Sequence, residues 1–232
     1  MPISGCRTTA ERTTVMGMFF RMPGSLPPDS RWEGIRYISD GKYVAVQSRF
    51  AGSYPPFGGM TAPFVWLDLF RIENGKFVEH WDALCSEVTS TMSGHGQLDG
   101  PTQVMHPQQG ERSKAVVDRF IRTVLIDGHD DRLGEFFDGE RYIEHDPMSG
   151  DGVTGLLSTR NQLAQRGIRV EYTELHRLIA DGEFVLAQSE GRYGDKPYAF
   201  YDIFRVEGDK LAEHWDIPMQ QPATLAHTNG LF

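Results

Sequence analysis

Three side chains suited to acid–base chemistry lie on two neighbouring predicted strands near the end of the chain. In the segment FYDIFR, strand alternation places Asp202 on one face together with two aromatic residues, Phe200 and Phe204. In EHWD, His214 and Asp216 share a face by the same rule. If both faces point inward, a carboxylate and an imidazole meet in an aromatic-lined pocket, where burial raises a carboxyl pKa and His can shuttle a proton.

Such a pocket is suited to proton abstraction next to a carbonyl group, which needs a base for the C–H bond and a donor for the developing oxyanion. We predict Asp202 as the base or polarising carboxylate, with His214 and Asp216 in support. The structural alternative for Asp202 is a pair with Arg205 or a backbone amide. For His214 it is a cross-strand His–Asp pair that fixes the strand register.

Two further candidates lie in the segment YIEHDP. His145 precedes Asp146 and Pro147, so the alternative to a catalytic role is a hydrogen bond that stabilises the turn. Tyr142 is predicted to line the substrate pocket with Phe200 and Phe204, and its phenol could donate to a substrate oxygen. The alternative, which is the more frequent role of such a Tyr, is half-buried packing with a satisfied hydroxyl.

The chain contains two similar blocks in the same order. Residues 38–48 (ISDGKYVAVQS) match residues 179–189 (IADGEFVLAQS) at an offset of 141. Residues 66–82 match residues 200–216 at an offset of 134, with nine of 17 positions identical. The first pair of segments has Asp-Gly at 40–41 and at 181–182, between β-type runs, and this pattern predicts an antiparallel meander in each copy. We interpret this pattern as an internal duplication.

The predicted elements give an α+β organisation with one partial and one complete copy. Residues 1–92 form a sheet-rich repeat without its leading helix, residues 93–112 a polar linker, and residues 113–232 a complete domain. In the complete copy, an amphipathic helix is capped by Ser113, further helices follow, and Pro218 stops the last strand.

The first copy retains Asp68, His80 and Asp82 in the same frame. Because it lacks the leading helix and a counterpart of His145, we predict one active site per chain. The first copy would then supply a partner sheet, as an intrachain pseudo-dimer. The alternative is a homodimer formed through the sheets.

Composition excludes several classes of function. The formal net charge of −9 argues against a nucleic-acid partner, and no apolar run is long enough to predict a membrane span. Cys6 and Cys85 form no disulfide framework or metal motif, and the histidines lack ligand spacing, so no metal site is predicted. The beginning of the sequence lacks a sustained apolar stretch, which predicts a cytoplasmic protein.

Taken together, the motifs resemble the SnoaL-like family of the nuclear-transport-factor-2-like (NTF2-like) superfamily. The matching segments are Tyr142–Pro147, Tyr201–Arg205, Lys210–Asp216 and Thr228–Phe232. The resemblance covers residues from about 111 to the end in full, and part of the first copy. The sequence departs from the family pattern at three positions: Asp146, Asp209 and Leu231.

The resemblance implies a cone-shaped fold in which a curved antiparallel sheet wraps helices and leaves a pocket at the open end. It also implies that His145 points into this pocket, where it would be the proton donor or orienting group. Relatives include polyketide cyclases, ketosteroid isomerases, dehydratases and epoxide hydrolases, which as a rule need no metal or organic cofactor.

We therefore predict a cofactor-independent enzyme, a lyase or isomerase, acting on a small hydrophobic carbonyl-containing substrate. Its reaction would be an aldol cyclisation, an isomerisation or a dehydration. The alternative is a non-catalytic ligand-binding or assembly module.

Overall fold

The computed structural model divides the chain into two compact units, with the boundary between Glu87 and Val88. We call them unit 1 and unit 2. Cys6 and the beginning of the predicted first repeat lie outside the residues that the structure describes, which are 27–53, 63–225 and 228–232.

Unit 1 contains a four-stranded antiparallel sheet in which each strand pairs with the next along the chain. Asn74 and Gly75 make the tight turn between the last two strands with positive φ angles of 51° and 73°, which suit Asn and Gly. The strands are β1 (Arg31–Ser39), β2 (Tyr43–Ala51), β3 (Phe64–Glu73) and β4 (Lys76–Ser86).

Unit 2 contains a five-stranded sheet in the order β5-β9-β8-β7-β6. The short strand β5 runs parallel to β9, and all other neighbours are antiparallel. These strands follow a helical segment, so the α+β prediction is confirmed for the fold. They are β5 (Ile143–Glu144), β6 (Val170–Asp181), β7 (Phe184–Tyr193), β8 (Lys196–Glu207) and β9 (Lys210–Gln220).

Two α-helices accompany this sheet, α1 (Gly110–Phe120) and α2 (Gly152–Gln165), and α1 continues as a π-helical turn over Ile121–Ile126. The apolar side of α1 and its continuation form one buried cluster with side chains of the sheet. Shorter 3₁₀ turns occupy Pro107–Gln109, Asp130–Glu135 and Gly139–Arg141.

The prediction that Ser113 caps α1 is wrong. The helix begins at Gly110, preceded by the 3₁₀ turn at Pro107, and Ser113 is a buried residue inside it. The helix starts earlier because Pro107 suits the first position of a helical turn.

The prediction that Pro218 stops the last strand is also wrong. Strand β9 continues to Gln220, and Pro218 lies opposite Phe200 on β8. Proline is tolerated there because β5 pairs only near His214, so β9 is an edge strand further along and the missing N–H removes no ladder bond.

The polar segment before α1 lies against unit 2. The indole Nε1 of Trp215 donates to the carbonyl oxygen of Asp99 at 3.0 Å. The amides of Met105 and His106 donate to the two carboxylate oxygens of Glu183 at 2.8 and 3.0 Å. Gly182 has a φ of +61°, and a Cβ atom there would lie 2.9 Å from the His106 carbonyl oxygen. The predicted domain boundaries stay predictions, although this segment is part of the compact unit 2.

Across the described parts of the chain, no helix is long and apolar enough to cross a membrane.

Candidate functional site

Unit 2 holds a cavity of about 910 Å³ lined by the helical segment and one face of the sheet. The inward residues of β8 and β9 line it because side chains alternate along a strand. Six of the seven predicted site residues are among its lining residues: Tyr142, Phe200, Asp202, Phe204, His214 and Asp216.

The carboxylate–imidazole pair lies on the sheet side of this cavity. His214 Nε2 is 3.0 Å from Asp202 Oδ1, and His214 Nδ1 is 2.9 Å from Glu144 Oε1. Glu144 reaches this position because β5 pairs with β9, which sets Glu144 beside His214. Arg205 binds Glu213 and Glu207, so the predicted structural pair between Asp202 and Arg205 does not form.

His214 is a cation held between two carboxylates. Burial opposes its charge, but Glu144 and Asp202 outweigh burial and raise the pKa of His214 well above its ordinary value. Burial likewise opposes the charge of Glu144, yet its pKa lies below the ordinary value because of the charge and hydrogen bond of His214. Both ring nitrogens of His214 are therefore donors, so this imidazolium can orient Asp202 but has no free lone pair with which to act as a base.

Two phenols extend the network at its ends. Tyr142 OH donates to Glu144 Oε2 at 2.8 Å, and Tyr172 OH lies 3.1 Å from Asp202 Oδ1 and 3.4 Å from Oδ2. Burial and the neighbouring carboxylates raise both phenol pKa values well above their ordinary value, so both remain protonated donors. Tyr142 thus has the satisfied hydroxyl of the packing alternative, because it donates to Glu144.

Asp216 faces the cavity from the position on β9 directly opposite Asp202 on β8. Burial, followed by the nearby carboxylates of Asp146, Glu144 and Asp202, raises the pKa of Asp216 well above its ordinary value. The pKa of Asp146 is also raised, first by burial and then by Glu144. The cavity therefore pairs an oriented carboxylate, Asp202, with a carboxyl group that keeps its proton to a higher pH than an ordinary aspartic acid does.

Aromatic rings support these polar groups. Phe204 stacks on the ring of His214 with centroids 4.7 Å apart, and Phe200 stacks on Tyr172 at 4.2 Å. These contacts limit the rotation of His214 and Tyr172, which both contact Asp202.

The orientation of His145 implied by the resemblance is wrong. Its Nδ1 lies 2.8 Å from the carbonyl oxygen of Gly96, its Nε2 lies 3.0 Å from Glu213 Oε1, and its ring stacks on Trp215 at 4.6 Å. Glu213 and Trp215 occupy the face of β9 opposite His214, so His145 is directed away from the cavity. It is 2% exposed and does not line the cavity.

Glu144, Tyr172 and Asp146 are among the cavity residues that the sequence interpretation missed. A usable signal existed for Glu144, because alternation from Tyr142 places the two side chains on one face. Tyr172 carried a weaker signal, as an aromatic residue near the beginning of a β-type run.

Among the described residues, one group has the spacing of metal ligands: Glu174, His176 and Glu190, whose ligand atoms lie within 4.8 Å of one another. These residues are on paired strands, since Glu174 lies opposite Glu190, and they are outside the cavity lining. The sequence could not reveal the group because its members become neighbours only through the pairing of β6 with β7.

Comparison with known proteins gave matches to a family and to solved structures. The search of curated proteins found no match. A model of the SnoaL-like domain matches residues 6–80, which lie in the N-terminal part of the chain.

Three solved structures illustrate the structural similarity. A SnoaL-like polyketide cyclase from Agrobacterium tumefaciens is 15% identical, with 46% of this chain and 90% of that chain covered and a TM-score of 0.37. TsrD from Streptomyces laurentii is 20% identical, with coverages of 45% and 89% and a TM-score of 0.36. An LEH-like epoxide hydrolase from M. tuberculosis is 19% identical, with coverages of 47% and 83% and a TM-score of 0.35. Identities and TM-scores this low carry no argument about activity.

The family match falls on the copy that we predicted as partial, and it extends through the Asp68–His80 pair. On this match, the resemblance of the chain to the SnoaL-like family of the NTF2-like superfamily is confirmed.

Proposed function

We propose that unit 2 is a cofactor-independent enzyme that transfers a proton at the carbon next to a carbonyl group of a small, largely apolar substrate. The observation that carries this proposal is the cavity in which Asp202, fixed by the His214 cation, lies opposite Asp216, whose pKa is raised by burial and by the neighbouring carboxylates. A base and a hydrogen-bond donor on neighbouring strands are the two groups that enolisation requires.

In the proposed step, the Asp202 carboxylate takes a proton from the substrate carbon. The electron pair of that C–H bond forms a carbon–carbon double bond, and the carbonyl electrons move onto oxygen. The O–H of Asp216 stabilises the resulting oxyanion by a hydrogen bond. Asp202 then returns the proton in one of three ways. It protonates the enolate at another carbon, which gives isomerisation. It protonates the alkoxide formed when the enolate carbon attacks a second carbonyl, which gives aldol cyclisation. It protonates a hydroxyl group that the enolate expels as water, which gives dehydration.

The other residues of the site position these two groups. His214 orients Asp202, Glu144 supplies the charge that keeps His214 cationic, and Tyr142 donates to the second oxygen of Glu144. His145 has no role in this proposal, because both of its ring nitrogens have partners outside the cavity.

Hydrogen–deuterium exchange into neutral carbonyl compounds tests the proposal without knowledge of the natural substrate. In D₂O, with 2-tetralone and related ketones as probes, we expect exchange next to the carbonyl, measured by proton NMR. Asp202→Asn removes the base and should slow exchange about 10³-fold. The matched control is Asp68→Asn, the corresponding change in unit 1, which should leave the exchange rate unchanged.

If the ketones bind but no exchange occurs with the wild type, the ligand-binding module is the correct alternative. Equal exchange by the wild type and Asp202→Asn would instead show that the base is a different residue.

We also propose that the two units are diverged copies and that unit 1 supplies a partner sheet within the chain. Light scattering tests this arrangement, because it predicts a monomer in solution. A tight dimer formed through the unit 2 sheet alone would contradict it.

A further inference from the structure

The cavity of unit 2 has more carboxyl groups than cations to pair with them. Its lining includes three cationic side chains, Arg160, Arg169 and His214. It also includes six carboxyl side chains: Asp130, Glu144, Asp146, Glu171, Asp202 and Asp216. This excess of acids is unusual for a cavity that would bind only neutral apolar molecules.

The cations of the lining are largely committed to other groups. Arg160 forms an ion pair with Asp130, and His214 lies between Glu144 and Asp202. Arg169 is an exposed residue two positions before the equally exposed Glu171. No cation within the described ranges is paired with Asp146 or Asp216.

Asp216 is the carboxyl group of the cavity that is best placed to bind a ligand. In the described part of the chain, its carboxyl makes no hydrogen bond and no ion pair, although it faces the cavity and other carboxylates surround it. Such surroundings favour the protonated form of a carboxyl group, and a bound cation would favour the ionised form.

Aromatic faces stand beside this acid. Phe200 lies opposite Pro218, two residues beyond Asp216 on β9, and stacks on Tyr172 with centroids 4.2 Å apart. Tyr193 also lines the cavity. Rings next to carboxylates form the kind of setting that attracts organic cations, since ring faces carry negative partial charge.

We infer that the cavity takes a ligand with a cationic nitrogen, whose ammonium group lies beside Asp216 and Asp146 against the rings of Phe200 and Tyr193. This inference rests on the proposed function in one respect, because it makes the substrate of that reaction an amino ketone or a similar cationic carbonyl compound. With such a substrate, an N–H of the ammonium group replaces the O–H of Asp216 as the hydrogen-bond donor to the enolate oxygen. The aromatic walls would hold its carbon skeleton, and Asp202 would face the carbon next to the carbonyl.

A pair of probes of nearly equal size and shape isolates the charge. Phenethylammonium carries the cation, and 2-phenylethanol replaces it with a neutral hydroxyl group. Isothermal titration calorimetry on the full chain at pH 7 should give binding of the ammonium at least tenfold tighter than of the alcohol. Repeating the titration in buffers of different ionisation enthalpy should show release of about one proton with the ammonium and none with the alcohol.

Two variants and one control locate the effect. Asp216→Asn should abolish proton release and most of the tenfold preference for the ammonium. Asp146→Asn should reduce this preference as a single variant, and should reduce it further when combined with Asp216→Asn. Asp209→Asn is the matched control, because Asp209 is an exposed carboxylate paired with Arg112, outside the cavity lining. It makes the same substitution of Asn for Asp and should change neither result.

Equal binding of the two probes, or no binding of the ammonium at millimolar concentration, would overturn the inference. A preference that survives both cavity variants would overturn it too. These outcomes are separable from the failure of the proposed function, because binding and proton release require no turnover. Exchange into neutral ketones together with no preference for the ammonium would support the proposed function and overturn the inference about a cationic ligand.

Discussion

The two units carry the same carboxylate–imidazole pair in different surroundings. In unit 1, His80 Nε2 lies 2.8 Å from Asp68 Oδ1, and in unit 2, His214 Nε2 lies 3.0 Å from Asp202 Oδ1. In each unit the Asp belongs to the third strand of the meander and the His to the fourth, and a Phe ring stacks on the imidazole. The shared pattern follows from the repeated residues, since strand pairing brings the same positions together.

The difference lies in what surrounds each pair. In unit 2, Glu144 from β5 occupies the second nitrogen of His214, and Tyr172 from β6 donates to Asp202. In unit 1, the side chain of His80 is 37% exposed, against 13% for His214. Within the described residues, the buried Oδ2 of Asp68 has no hydrogen-bond partner.

This contrast teaches that the pair itself belongs to the strand framework and does not by itself make a site. What closes the site in unit 2 is a second carboxylate and a phenol from outside the shared pattern. Asp68 shows the cost of an incomplete arrangement, because burial raises its pKa to about 6 despite the opposing effect of His80.

The largest effect is expected when unit 2 is made to resemble unit 1. Glu144→Gln leaves His214 with one carboxylate, and breaking a buried ion pair costs about 4 kcal/mol in the free energy of unfolding. The pKa of His214 should fall at the same time, because the strongest favourable charge is gone. Urea denaturation and a proton NMR titration of the His214 ring measure the two results.

The control for this variant is Glu190→Gln, which breaks the more exposed contact between Glu190 and His176. Such a pair contributes less than about 1 kcal/mol. A similar loss of stability in both variants would show that the His214 pair has no special energetic role.

A slightly smaller effect is expected from the buried carboxyl of unit 1. The folded pKa of Asp68 is about 6, above its ordinary 3.8. The folded state therefore keeps the proton where the unfolded state loses it, and stability decreases as the pH rises from about 4 to about 6. The shift of roughly two pKa units corresponds to about 3 kcal/mol.

Asp68→Asn should remove this pH dependence, so that the difference in unfolding free energy between pH 4 and pH 7 becomes smaller than in the wild type. Asp82→Asn provides the comparison, because Asp82 lies opposite Asp68 but is exposed. If the two variants give the same pH profile as the wild type, burial does not control the Asp68 proton.

The smallest effect concerns the phenol that unit 1 lacks. Tyr172→Phe removes the donor to Asp202 and should slow exchange of the ketone probes roughly tenfold, the effect of losing one hydrogen bond to a charged group. The Michaelis constant should change little, because the ring and its stacking on Phe200 remain. Tyr198→Phe is the control, since Tyr198 lies near Phe200 but outside the cavity lining. Equal rates for Tyr172→Phe and the wild type would exclude this role.

Much of the fold was accessible from local patterns. The two meanders followed from alternating β-type runs and Asp-Gly turns, and the amphipathic spacing located α1. The predicted beginning of α1 at Ser113 and the predicted end of β9 at Pro218 were wrong. Capping and strand termination depend on neighbours, namely the turn before α1 and the edge position of β9.

For the candidate site, too, the positions of the residues placed by local patterns were predicted correctly, and the position of the residue placed by distant contacts was not. Asp202, His214 and Asp216 were predictable as one group because they belong to adjacent strands of a hairpin. His145 was assigned to the wrong side, since its direction depends on contacts with Gly96 and Glu213, 49 and 68 residues away in the chain.

The sequence by itself determined which side chains share a face of each strand, because alternation is a local property of the extended backbone. That was enough to bring Asp202, His214 and Asp216 toward one pocket. Only the tertiary structure decided that His214 is a fixed cation, because Glu144 lies 70 residues away and reaches it through the pairing of β5 with β9. Protonation depends on which charges become neighbours in space, and chain order does not contain that information.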